Sequence, residues 1–306
     1  MYFPYLRGRQ FELLALRELA ENDLITKSII PIIEPVKPSA TLLKTLSVFN
    51  KKGINLIFIK NPAVGYYLSE MDLDKDRDLP MYKSLFEEIN NPNILKAVLF
   101  DNNSKCNPNN INDVSIAIVP KVDLVDEYLA LFKSRKLSYT LIENKRGLRR
   151  LSIAGKVVLE DNFVRQVRNS DYQENPDEFF SDWHKYFSEE GFEGFSDYSI
   201  IGEKYIETGF APTSVAIHIV YFDDKQELRV HHFVSKSNIG IQDTAGKFGE
   251  AVSALKRWCL NKNIQRTRGL EYLYECADTG RFPGLGVVKK YSIMHHLELM
   301  SGYLGE

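Results

Sequence analysis

Charged residues recur in this chain at one kind of place, the end of a short apolar run. Glu34, Lys60, Asp101, Lys121 and Glu143 each close such a run, and Glu160-Asp161 closes another. Carboxylates interleaved with lysines suit a polar ligand. A divalent cation would be taken through carboxylate oxygens, with the lysines turned away because they repel it. Asp197 and His232 are further candidates for the same ring, and their direction depends on strand register. A basic cluster, Lys145, Arg146, Arg149 and Arg150, follows the fifth run, with Arg165 and Arg168 beyond it; such residues meet phosphates of a nucleotide or nucleic acid. The formal charge of −2 supplies no general pull toward nucleic acid, so a solvated helix face is the expectation for that cluster.

Other motifs are weaker. Asp243-Thr-Ala-Gly-Lys-Phe-Gly opens a helix but lacks a phosphate-loop pattern, so it reads as ordinary N-capping. His295 and His296 are adjacent on a helical segment and point apart. His218 and His232 each sit among apolar neighbours on alternating strands, where a hydrogen-bonded core role is expected. No serine lies in a nucleophile elbow and no cysteine has a histidine near it in sequence, so covalent catalysis is not indicated.

The elements that must position these residues are legible as runs. Residues 10–22 have helical spacing of Phe11, Leu13, Leu14, Leu16 and Leu19. Strands are expected at 28–36, 54–60, 95–101, 114–121, 137–143, 155–161 and 198–202. Helices are expected at 39–52, 81–89, 122–136, 175–190 and 246–260. The Asn- and Pro-rich stretch 102–113 reads as an abbreviated crossover. The runs 215–222 and 228–234 flank a polar turn and read as a β-hairpin that supplies the eighth strand. Short buried-type strands alternating with helices predict an α/β fold, a (β/α)8 TIM-barrel-like single domain over 1–306. In it the barrel spans roughly 28–260 and a C-terminal helical extension 261–306. An open doubly wound sheet is the competitor, without its usual glycine-rich fingerprint. At a barrel mouth the charged tips would converge.

The 306 residues are 44% apolar and 26% charged, ordinary for a globular chain with a full core. Three scattered cysteines, without a CxxC pair, argue for a reducing cytoplasm and against a disulfide framework or zinc knuckle. The N-terminus reads as neither signal peptide nor membrane span, and no membrane association is expected.

The opening run YFPYLRGRQFELLAL (2–16) resembles that of the beta-protein family, first named from phages and found also in bacterial genomes. IPIIEP (30–35), FSDY (195–198), GFAPTSVAIH (209–218) and HFVS (232–235) resemble a bacterial branch of it. The resemblance covers essentially the whole chain. It implies a barrel-like fold and an occurrence near phage-defence or mobile genes, with a nuclease-like companion protein from a neighbouring gene. It implies no reaction, cofactor or catalytic residue. Two functions follow as expectations. The first is a barrel-fold partner or sensor that binds a second protein or a polar ligand. The alternative is a metal-assisted hydrolase of a phosphate ester, nucleotide or nucleic acid, the one case that calls for a divalent cation. Whether the chain is an enzyme stays open at this point.

Overall fold

The structure is a computed structural model that describes residues 1–73, 80–102, 111–132, 135–207, 212–238 and 240–305. Its contacts divide into two compact units, Met1–Asp161 with Trp183–Tyr198, and Asn162–Asp182 with Ser199–Glu306.

The first unit begins with β1 (Tyr5–Arg7), α1 (Gln10–Glu21), β2 (Ile32–Glu34), α2 (Ala40–Lys52) and β3 (Leu56–Ile59). It continues through α3 (Tyr67–Leu73), α4 (Pro80–Ile89), β4 (Ile94–Leu99), β5 (Ile116–Val119), α5 (Val125–Phe132), β6 (Tyr139–Glu143), α6 (Arg146–Arg149) and β7 (Lys156–Glu160). After β8 (Asp177–Ser181), which belongs to the second unit, α7 (Trp183–Tyr186) and β9 (Gly194–Asp197) complete it. The eight strands pair in parallel in the order β1-β2-β3-β4-β5-β6-β7-β9. A parallel bridge from Tyr2 to Phe195 ties the last strand to the first: Phe3 N–H donates to Phe195 O at 2.9 Å, and Phe195 N–H to Met1 O at 3.1 Å. This is the α/β barrel that the runs predicted. Strands such as β3 and β5 are buried at every residue, as parallel strands covered on two faces must be. At α2, Ser39 accepts from the Leu42 N–H at 3.1 Å, and Gly53, at φ +65°, ends the helix.

Register decides which side chains point inward. Phe3, which leads into β1, and Tyr139 of β6 are well separated around the ring, yet their ring centroids are 4.9 Å apart, so their face is the barrel interior. Following the paired residues, that face carries Arg7, Glu34, Ile59, Leu141, Glu143, Leu159 and Ser196. Glu160 and Asp197 alternate to the outer face.

Several expectations change. The eighth barrel strand is β1, not the hairpin; its three residues are too few to form an apolar run, but all are buried. Residues 198–202 are not a strand: Ser199 has φ +49°, which breaks the extended chain, and Ser199–Ile201 is a 3-10 turn after β9. The expected helix at 175–190 is β8 followed by the four-residue α7. Phe180 there is buried and Phe179 half exposed, an alternation of period two. Residues 103–110, most of the abbreviated crossover and its Cys106, lie outside the described residues, as do 133–134 of the expected helix 122–136.

The hairpin itself is as expected, but it belongs to the second unit. β10 (Ala216–Phe222) and β11 (Leu228–Val234) are antiparallel, and β8 adds along β11 to give the order β10-β11-β8. On one face Trp258 of α8 (Thr244–Asn261) packs against Tyr221, His231 and Phe233. On the other, Phe222 meets Tyr303 and Phe180 meets His296 of α10 (Leu285–Gly305). α9 (Arg268–Thr279) approaches α10 so closely that a Cβ on Gly269 would sit 2.4 Å from the Tyr291 carbonyl oxygen. The C-terminal region is thus two regular helices. Among the described residues, no helix is long and apolar enough to cross a membrane.

Candidate functional site

The carboxyl-terminal ends of the barrel strands define the mouth, and a buried, hydrogen-bonded group there is one the charged-tip pattern half missed. Arg7, at the tip of β1, pairs with Glu34 at the tip of β2. Glu34 is fully buried, and its lone pairs are engaged. Oε2 accepts from Arg7 and from the Tyr5 hydroxyl at 2.7 Å, and Oε1 from the Ala63 N–H at 2.8 Å. The guanidinium lies over the rings of Tyr5 (5.0 Å) and Tyr198 (5.4 Å), which contact one another at 4.8 Å. Burial alone would push the Arg7 group down. Tyr5, Glu34 and Tyr198 outweigh it, so the guanidinium titrates even higher than usual and stays charged. Burial, and then the Glu34 charge, push the Tyr5 phenol well up, so it stays a neutral donor.

The other candidates separate into pairs. Lys60 continues outward from β3 and binds Asp113 at 2.7 Å, which Lys96 also binds at 2.9 Å. Burial would raise the Asp113 carboxyl, but the two lysines hold it at about 2. Lys121 is 3.8 Å from Asp101, and Glu143 is bound by Lys145 at 2.6 Å. Asp161 is exposed, while Glu160 accepts from the Trp183 indole at 2.6 Å. Asp197 is buried on the outer face and accepts from the Tyr2 hydroxyl at 2.8 Å, a bond that helps seat the N-terminal residues against β9. The basic cluster is partly neutralised: Arg149 pairs with Glu190, Lys145 with Glu143, and Arg146 and Arg150 are exposed. Among the described residues, no three His, Cys, Asp or Glu side chains gather as a metal site would require.

His232 belongs to the second unit, where it forms a cluster that sequence alone could not assemble. β10 and β11 place His218 opposite His232, and the two Nδ1 atoms are 2.7 Å apart. His232 Nε2 faces Glu178 Oε2 at 3.6 Å, and Asn175 donates to Glu178 Oε1 at 2.9 Å. Phe163 and Tyr172 wall both imidazoles, with centroids 4.5–6.1 Å away. On the opposite face Asp177 accepts from Arg229 (2.6 Å), Tyr221 (2.7 Å) and His231 (2.9 Å). Burial would raise the Asp177 carboxyl, yet these donors hold it at about 2.

The overlooked mouth residue had a visible sign. Tyr5-Leu-Arg7 ends on a charge before a helix, as the longer runs do, but three residues were too few to read as a strand. No protein-family model matches the chain, and no curated protein matches it either.

Proposed function

We propose that this chain acts as a barrel-fold partner or sensor in a bacterial phage-defence module, holding a polar ligand or a companion protein at the barrel mouth. The observation that carries this reading is the Arg7–Glu34–Tyr5–Tyr198 group. A permanently charged guanidinium is held there against two tyrosine rings, at the end of the barrel where such folds place their sites. The phage-defence setting rests on the sequence resemblance. The metal-assisted hydrolase draws less from this geometry, because Glu34 already directs its lone pairs to Arg7, Tyr5 and Ala63.

Glu34→Gln is a poor probe, since it would disturb a buried ion pair as well as the mouth. Glu143→Gln and Asp101→Asn alter partly exposed mouth residues at a stability cost of about 0.5 kcal/mol or less. Both variants are expected to keep the wild-type melting temperature and lose protection in a phage-challenge assay. Full protection by the well-expressed pair would move the working surface elsewhere, first to Lys145–Arg150.

A further inference from the structure

A cleft opens where the tight turn after α8 meets α9. In that turn Lys262 N–H donates to Trp258 O at 2.9 Å, Ile264 N–H to Cys259 O at 2.9 Å, and Asn263 N–H to Leu260 O at 3.3 Å. The last carbonyls of α8 are therefore occupied, and the negative pole of the helix is covered. Asn263 takes φ +51° to make the turn, and the chain then runs to the α9 cap at Thr267. The cleft measures about 430 Å³, a size that suits a small organic molecule. Its surface has two characters. Leu260 and Ile264 supply aliphatic side chains, and the buried Cys259 and Tyr274 complete that side. Asn263, Gln265 and Arg266 supply the polar side. Gln265 lies against α10, where a Cβ on Gly302 would come 3.4 Å from its Nε2.

The charge on this lining is one-sided. Burial pushes the Cys259 thiol up to about 12 and also raises the Tyr274 phenol, so both stay neutral. No carboxylate of the described residues lines the cleft, and Arg266 is its one formal charge. The Arg266 guanidinium makes no hydrogen bond or ion pair among the described residues. Lys256 of α8, in contrast, has its counter-charge in Asp278 of α9. A guanidinium presents its N–H donors in a planar fork that matches two oxygens of a carboxylate or phosphate. We propose that this cleft binds a small organic oxyanion, a carboxylate or phosphate monoester with an apolar body. The oxyanion pairs with Arg266, and the side-chain amides of Asn263 and Gln265 add donors on the same side. The apolar body lies on Leu260, Ile264 and the Tyr274 ring.

The test is NMR of the full chain, observed through its backbone amides. It is titrated separately with benzoate, with phenyl phosphate and, as a neutral control, with benzyl alcohol. The expected result is a saturable set of shifts centred on residues 259–266 and 274 with at least one anion, and the tighter anion identifies the oxyanion. Benzyl alcohol should bind more weakly by about tenfold or more, because it lacks the charge-assisted pair. Arg266 is exposed, so Arg266→Met is expected to fold as the wild type does. It should weaken anion binding by about tenfold or more and leave the benzyl alcohol response unchanged. No saturable response to either anion at tens of millimolar overturns the proposal in the wild-type chain without any variant, as do shifts centred elsewhere. Equal binding of benzyl alcohol, or undiminished anion binding by folded Arg266→Met, overturns it as well.

Discussion

The two units bury polar groups by opposite means. The barrel buries one charge as a pair, Arg7 with Glu34, and backs it with Tyr5 and a backbone N–H. The second unit buries histidines as neutral rings. His295 donates from Nε2 to the Val220 carbonyl at 2.8 Å and accepts at Nδ1 from the Thr267 hydroxyl at 2.8 Å, because a carbonyl can only accept. Burial depresses it to about 4, and burial with His295 as neighbour depresses His296 to about 3. Burial is also the main cause that holds His232 at about 4. An ion pair of arginine and carboxylate is insensitive to pH through the neutral range, whereas a buried neutral imidazole is a liability in mild acid. The two units should therefore fail under different conditions.

Acid gives the largest effect. A histidine whose folded pKa lies below its unfolded value of about 6.5 contributes its stability fully above that value. The contribution is lost as pH falls toward the folded pKa, because the unfolded chain binds the proton first. For His295, a fall from 6.5 to about 4 corresponds to about 3 kcal/mol, and His296 and His232 add to it. Glu298, raised by burial, works the other way as a single group. In the barrel, Asp113 is depressed to about 2; its contribution is present above its usual 3.8 and is lost only as pH falls through about 2. The two tryptophans separate the units, Trp183 in the barrel and Trp258 in the second. Urea unfolding of Trp183→Phe and Trp258→Phe proteins between pH 7 and 4.5 should show a steep loss at Trp258 and a shallow one at Trp183. Parallel losses would break the comparison.

The barrel's own weak point is the ion pair. Arg7→Met leaves the Glu34 carboxylate buried without its counter-charge and is expected to cost about 3–5 kcal/mol. The double variant Arg7→Met/Glu34→Leu should recover much of that, since it removes the orphaned charge as well. Chemical denaturation of the four proteins gives the coupling energy directly. A double variant as unstable as the sum of the singles would mean that the two residues act independently.

What the sequence disclosed follows the same division. Leu56–Ile59 and Ile116–Val119 were legible as strands because parallel burial on two faces leaves an unbroken apolar run. Ser39 and Gly53 marked α2 through local chemistry that needs no tertiary contact. Tyr5–Arg7 was not legible, because its burial comes from pairing with residues 32–34 and not from its own composition. The hairpin was found but given to the barrel; nothing within 215–234 says which sheet it joins, and that depends on β8, hidden behind a helix-like aromatic spacing. The charged tips were correctly seen as strand ends, but which of them face inward is a register property, and it sets Glu34 and Glu143 apart from Glu160 and Asp197. The histidine cluster needed the partner of His232, and Glu178 lies 54 residues away on a strand that the spacing concealed.

The smallest effect compares the same device in each unit. Ser39 caps α2 by accepting from the Leu42 N–H at 3.1 Å, and Thr267 caps α9 by accepting from the Leu270 N–H at 3.2 Å. As caps they are equivalent, and Ser39→Ala should cost about 1 kcal/mol. Thr267 does more, because its hydroxyl proton goes to His295 Nδ1 while its oxygen serves the helix. Thr267→Ala therefore removes a cap and also strands an imidazole nitrogen in a site with no exposure, which adds about 1–3 kcal/mol. Thr267→Ser keeps both bonds and should restore most of the loss. Equal losses for the two alanine variants at pH 7 would show that the hydroxyl serves only the helix, and that burial alone holds His295 neutral against the Val220 carbonyl, which favours the charged ring.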